Sequence, residues 1–477
     1  MSRKNPFSWP IHLKQYDPEA SFLAWVDTGE VHTYSYAELL KNASSLAGEV
    51  GSEPFAKHRY LPRNERTPQQ AILASTHLLA GVPFVLSNEP EAYANEPETS
   101  ANEPETRKVD IANDDGSTSA IDDVMITLET SGTTGKPKRV DVAATQIDHA
   151  VRHLPAPMRT MPGDYWGHAL PLHHVGGVSI LARALSTGGG VAFAKDTSVE
   201  SIQELLTSIP LKGVSLVATQ LQRLLNHAES VDRLSVLDAI LLGGGPLPLE
   251  VAEQALAHDL PVYQSYGMTE TFAMIAAHRL SDTPDQPQCI GKPFGDTEIM
   301  LHNGTLHLRG TQIGAASTGA ALAGHASKIN TSEAQPAPNA WFDTGDLGRQ
   351  DLQGRWIIEA RRDDLILSGG NNIFPPRLEQ VIALHPDIEA AIVLGVDDPE
   401  WGQRVVAIVE PKSAVDESAI QSTLHEDALK AWIKTQNALR SYEYPKEWIV
   451  LPMGQTIPRT TLGKVARKEA TSLLRDR

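Results

Sequence analysis

Residues Thr130 to Lys138 read Thr-Ser-Gly-Thr-Thr-Gly-Lys-Pro-Lys, directly after a short apolar run of strand type, Val124 to Leu128. A strand discharging into hydroxyls, two glycines and two lysines has few folded uses. Gly132 and Gly135 can take φ > 0 and let the backbone come close to an anion. Consecutive N–H groups there form a concave nest for oxygens. Ser131, Thr133 and Thr134 add hydroxyl donors, and Lys136 and Lys138 add point charges. The pattern fits the wrapping of a polyphosphate. It is not a P-loop of the Gly-x-x-x-x-Gly-Lys-Ser/Thr type, because Thr130 stands at the first Gly position and Pro137 at the Ser/Thr position.

The flanks of this stretch alternate between the two periodicities. Ser21 to Val26 and Val82 to Leu86 read as strands, while Tyr34 to Val50 and Pro68 to Leu79 read as helices, the first capped by Ser35. Further on, strand-like Gly213 to Ala218, Leu237 to Leu242 and Pro261 to Gln264 are separated by helical segments. This alternation predicts an α/β fold with parallel strands covered by helices. Gly243-Gly244-Gly245 closes one strand, and the C-terminal ends of such strands are where open α/β sheets bind ligands. Residues 290 to 360 read instead as an antiparallel β unit, and the last hundred or so as a small α+β domain.

A chain of 477 residues exceeds a single core. Net charge of −18 argues against nucleic-acid binding. No apolar run approaches the ~20 residues of a membrane helix, so no membrane insertion is expected. The single Cys289 excludes an internal disulfide framework and suits a reducing cytoplasm. Residues 88 to 120 carry near-copies of an Asn-Glu-Pro-Glu unit, too acidic and too poor in apolar groups to order themselves.

Two more stretches are charged with chemistry. In Ser265-Tyr266-Gly267-Met268-Thr269-Glu270-Thr271, Tyr266 offers a flat apolar face, Gly267 removes bulk, Thr269 offers a hydroxyl and Glu270 a carboxylate for Mg²⁺. In Trp341-Phe342-Asp343-Thr344-Gly345-Asp346, a carboxylate at a strand end can take two hydroxyls at once.

The phosphate-type loop, Tyr266-Gly267-Met268-Thr269-Glu270 and Asp346, followed by Arg361, Asp363 and Lys464, resemble in that order the motifs of the adenylate-forming superfamily of acyl-CoA synthetases, adenylation domains and luciferases. The resemblance covers nearly the whole chain outside 88 to 120. It departs from the pattern at Arg139, His173, Ala360 and Arg377.

The resemblance implies a large N-terminal domain of layered α/β sheets with a β subdomain, residues 1–362, and a small mobile C-terminal domain, residues 363–477. It implies ATP and Mg²⁺ at the first domain, with CoA or a carrier-protein thiol as acceptor and a small carboxylic acid as substrate. Thr130, Ser131, Gly132, Thr133, Thr134, Gly135, Lys138, Gly244, Tyr266, Gly267, Thr269, Asp346 and Arg361 would bind nucleotide, Glu270 the metal. Lys464 and Glu270 would be catalytic, His174 would act in the acyl pocket, and Asp363 would be the hinge. Pro171 to Gly177 and Thr219 to Leu225 are most similar to members that activate an aromatic dicarboxylate. There a cation should meet the carboxylate that is not activated, and Arg223 is the sequence's candidate. Oligomeric state stays open, homo-oligomer included.

Overall fold

The computed structural model describes residues 20–27, 29–50, 59–60, 68–80, 84–86, 124–130, 138–313, 340–412, 422–436, 438–459 and 465–474. The expected α/β class is what the chain adopts.

The largest sheet has eight strands. Across it lie Ala273–Arg279, Val262–Met268, Ala239–Leu242, Gly213–Leu216, Tyr165–His168, Gly190–Phe193, Ser21–Asp27 and Glu30–Ser35. The six inner strands are parallel and the two edges antiparallel. Several inner strands, such as Ala239–Leu242 and Gly213–Leu216, are buried along their whole length, as a sheet covered on both faces requires. One apolar core lies on one face, built on Trp166, Leu181, Leu185 and Phe272. The other face carries Leu205, Leu221, Leu234 and Val251 from the helices that connect the strands.

A four-stranded sheet carries Arg59–Tyr60, Phe84–Leu86, Val124–Thr130 and Lys138–Ala143, the last two antiparallel. A five-stranded antiparallel sheet carries Cys289–Gly291, Trp356–Arg361, Phe342–Gln350, Thr305–Arg309 and Glu298–His302. The C-terminal part has its own sheet, with Ile388–Asp398 and Gly402–Pro411 as its long pair, and its own core of Ile366, Leu378, Val405, Leu429 and Trp448.

Local chemistry accounts for several boundaries. Helix Tyr36–Val50 starts after Ser35, whose Oγ accepts from Glu38 N (3.3 Å) while Glu38 Oε2 accepts from Ser35 N (2.9 Å), a reciprocal cap. Helix Ala218–Leu225 is capped by a glutamine of its own first turn. The Gln220 carboxamide turns back so that Oε1 accepts from Val217 N (3.0 Å), and its Nε2 donates to Ala169 O (2.9 Å). Among the described residues no helix is long and apolar enough to cross a membrane. The Asn-Glu-Pro-Glu repeats and the 315–339 stretch lie outside the described residues.

Candidate active site at the C-terminal edge of the sheet

Several of the sequence's candidates lie at or just after the C-terminal ends of strands, among them Gly244 and Glu270. Thr130 and Lys138 are paired across the antiparallel hairpin, so the two ends of the phosphate-type motif are held side by side. Ser131, Gly132, Thr133, Thr134, Gly135 and Lys136 lie outside the described residues.

Strand Val262–Met268 runs through Tyr266 and Gly267 and ends in a 3-10 turn, Thr269–Thr271, that carries Glu270. The pairing with Ala273–Arg279 slips between Tyr266 and Gly267, and the two strands come together so closely that a Cβ on Gly267 would sit 1.9 Å from Ala273 O. Glycine is therefore the residue that fits. Gly244, after the neighbouring strand Ala239–Leu242, is required for a different reason, since its φ of +88 lies in the left-handed region.

Tyr266 and Asp346 meet directly. The phenol donates to Asp346 Oδ2 at 2.6 Å. Asp346 lies on strand Phe342–Gln350, not in a turn, and is buried. Its register partner on strand Trp356–Arg361 is Arg361, whose Nε lies 2.7 Å from Oδ1. Burial raises the Asp346 carboxyl, against the pull of Arg361. Burial, then the Asp346 charge, push the Tyr266 phenol well above its ordinary range, so it stays a donor at neutral pH. Each Asp346 oxygen keeps a second lone pair for a diol. Asp363 is exposed in the 3-10 turn Arg362–Asp364 that follows.

His174 is the N-cap residue of helix Val175–Thr187, with its ring 4.5 Å from that of His173. The first turn packs tightly, since a Cβ on Gly177 would meet Pro171 O at 2.1 Å, and buried His168 reaches Gly177 O through Nε2 (3.1 Å). Burial lowers the His173 pKa, so that ring is neutral at pH 7, and its Nε2 is buried without a hydrogen-bond partner. A neutral imidazole thus replaces the aromatic ring expected beside His174.

The structure shows Arg223 exposed. On helix Ala218–Leu225 the buried side chains are Gln220, Leu221 and Leu224, and Arg223 projects to solvent. A cation missed in the sequence is Arg183, on helix Val175–Thr187. It is buried, its guanidinium stacks 4.9 Å from the Trp166 ring, and Nη2 donates to Ser215 Oγ (3.2 Å), which also accepts from Trp166 Nε1 (2.9 Å). Nε and Nη1 have no partner, and desolvation pushes the pKa down to about 10, which leaves the group charged at pH 7. Among the described residues no carboxylate pairs with it.

Lys464 itself lies outside the described residues, but both of its flanks are anchored. Arg459 and Val465 form an antiparallel bridge, and Ala466 N donates to Pro458 O (2.8 Å). Buried Glu410 accepts from Ile457 N (3.0 Å). Arg467 grips Glu379 with Nη2 (2.6 Å to Oε2) and reaches Asp364 with Nε (3.4 Å), next to the expected hinge.

Comparison with known proteins settles the lineage. The model of the AMP-binding enzyme family matches residues 63–312, and that of the AMP-binding enzyme C-terminal domain matches residues 377–464. The chain belongs to the AMP-binding enzyme family. This AMP-binding enzyme is 32% identical over 346 residues to a 2-succinylbenzoate–CoA ligase of Listeria monocytogenes serovar 1/2a, covering 72% of this chain and 68% of the relative. It is 33% identical over 351 residues to the same-named ligase of Bacillus licheniformis, covering 73% and 70%. Among solved structures, the o-succinylbenzoate CoA synthetase of Bacillus subtilis in complex with its acyl-adenylate intermediate superposes with a TM-score of 0.73 at 25% identity, covering 97% of both chains. The expected enzyme class, an AMP-forming acid–CoA ligase, holds for this AMP-binding enzyme.

Proposed function

We propose that the chain converts o-succinylbenzoate, ATP and CoA into o-succinylbenzoyl-CoA, AMP and pyrophosphate, as a step of menaquinone biosynthesis in the cytoplasm. The observation that carries the substrate is Arg183. A buried guanidinium with no carboxylate is costly on its own, and an anionic ligand offsets that cost. A substrate with a second carboxylate supplies the anion, which matches what the curated relatives are named for. Arg183 takes the place that the sequence reading gave to exposed Arg223.

A carboxylate must first be activated, because its oxygen is a poor leaving group. One carboxylate oxygen attacks the α-phosphorus of ATP, the bond to the β-phosphate oxygen breaks, and pyrophosphate leaves. The CoA thiolate then attacks the carbonyl carbon of the acyl-adenylate, and AMP leaves with the bonding pair. Catalysis of the first step is positioning and charge stabilisation. The Thr130–Lys138 stretch holds the distal phosphates. Asp346 takes the ribose hydroxyls, with Tyr266 and Arg361 keeping its carboxylate in place. Gly244, Gly267 and Thr269 line the nucleotide, and His174 closes the acyl side.

A magnesium ion fits the donor set, since one carboxylate beside a phosphate site is how Mg²⁺ is commonly held. Glu270 would hold it, and among the described residues no cluster of three or more ligating side chains offers a cage instead. When bound with ATP it neutralises phosphate charge. Lys464 bridges the carboxylate and the α-phosphate in the first step. Residues 363–477 form a mobile domain, and a turn of the backbone at Asp363 withdraws Lys464 and admits the thiol.

The test is acid-dependent pyrophosphate release with Mg-ATP over a panel of aromatic mono- and dicarboxylates. Highest turnover with o-succinylbenzoate supports the assignment, and preference for a monocarboxylate refutes the substrate.

A further inference from the structure

The Glu270 turn has an unusual backbone. Phe272 (φ +43) and Ala273 (φ +72), which follow it, both sit in the left-handed region although neither is glycine. Such geometry persists only where neighbours enforce it. Here two buried glutamines do so. Gln312 Nε2 donates to Thr271 O (2.8 Å) and to Met274 O (2.9 Å), the carbonyls on either side of the left-handed pair. Gln146 Nε2 donates to Glu270 O (3.0 Å) and to Gln312 O (2.9 Å), while its Oε1 accepts from Ala143 N (2.9 Å). Both side chains are about 1% exposed.

The two amides therefore join three segments. Ala143 ends strand Lys138–Ala143, which leaves the phosphate-type motif. Glu270 and Thr271 belong to the 3-10 turn Thr269–Thr271. Gln312 lies in the 3-10 turn Thr311–Ile313 of the antiparallel β unit. His149 adds a brace: Nδ1 lies 3.4 Å from Gln312 Oε1, and Nε2 lies 2.8 Å from Asp296 Oδ1.

We propose that Gln146 and Gln312 are positioning residues that hold Glu270 at a fixed place relative to strand Lys138–Ala143, and so tune the use of Mg²⁺ with ATP. The assignment rests on the proposed nucleotide role of Glu270. Gln312→Glu keeps the shape but turns a double donor into an acceptor facing two carbonyls, and Gln146→Leu removes the bridge to Glu270 and the cap on Ala143 together.

The experiment measures ATP affinity by calorimetry for the full chain, once with excess Mg²⁺ and once with EDTA, alongside the melting temperature. A purely structural role lowers both affinities together. A positioning role lowers the Mg²⁺-to-EDTA affinity ratio by about fivefold or more in both variants, with the EDTA affinity within about twofold of the wild type. An unchanged ratio in both variants overturns the proposal. If the wild type itself shows no Mg²⁺-dependent ATP binding, the nucleotide reading of Glu270 falls first and this inference with it.

Discussion

The Tyr266 phenol and the Asp346 carboxylate, 80 residues apart in the chain, are joined by a 2.6 Å hydrogen bond. The bond ties the large, mostly parallel sheet to the five-stranded antiparallel one. Tyr266→Phe removes a buried hydrogen bond to a charged acceptor, a loss of about 1.5–3 kcal/mol. Denaturant melts should show destabilisation of that order, together with weaker ATP binding.

Asp346→Asn leaves the fold's packing nearly unchanged in volume but removes the charged acceptor. If Asp346 takes the ribose diol, the wild type prefers ATP over 2′-deoxy-ATP and the variant loses about tenfold or more of that preference. Equal discrimination by both proteins would assign the diol to another group.

Arg183 and Arg223 make a paired comparison. Arg183→Met removes an unpaired buried cation, so the folded state should be as stable as the wild type or more so. The same change should cut kcat/KM for o-succinylbenzoate about 100-fold or more, because the second carboxylate is left unpaired. Arg223→Gln, on an exposed helix face, should stay within about threefold of the wild type. The readouts are steady-state kinetics and thermal melting of the three proteins.

Lys464→Ala should abolish formation of the adenylate while leaving CoA acylation from preformed acyl-adenylate within about threefold. Half-reactions followed separately by pyrophosphate release and by thioester formation distinguish this from a general loss. Equal loss in both halves contradicts the domain-swing account.

Several histidines have pKa values lowered by burial, among them His149, His173 and His385. The unfolded chain then binds more protons than the folded one below about pH 6.5, so stability is full above that pH and is lost as pH falls through the lowered folded values. The melting temperature should drop between pH 7.5 and 5.5. His173→Phe, which restores the aromatic ring, should flatten that slope, and an unaltered slope would show that folding does not lower the pKa of that ring.

Much of this site was legible because its signals are local. A strand followed by Thr130–Lys138, a Tyr-Gly-Met-Thr-Glu run and a Thr-Gly-Asp run each encode their chemistry within a few residues, and helix Tyr36–Val50 announces its start by Ser35 and Glu38. What escaped depends on distant partners. Arg183 carries no local signal in the sequence, and only the fold shows Trp166 and Ser215 beside it and, among the described residues, no carboxylate. Arg223 reads as a pocket cation, and the fold adds that it is exposed beside the buried Gln220, Leu221 and Leu224. Gln146 and Gln312, 166 residues apart, leave no periodic trace at all. The helix cap at Val217 went to Gln220 because a glutamine three residues on can reach back to the capping amide.

The most direct measurement is a mass spectrum of the products formed from o-succinylbenzoate, Mg-ATP and CoA, run for the wild type and Arg183→Met. The account predicts o-succinylbenzoyl-CoA and AMP from the wild type, and about 100-fold less thioester from the variant with the fold intact. Thioester formed equally well by both proteins, or formed by the wild type only from monocarboxylic acids, would contradict it.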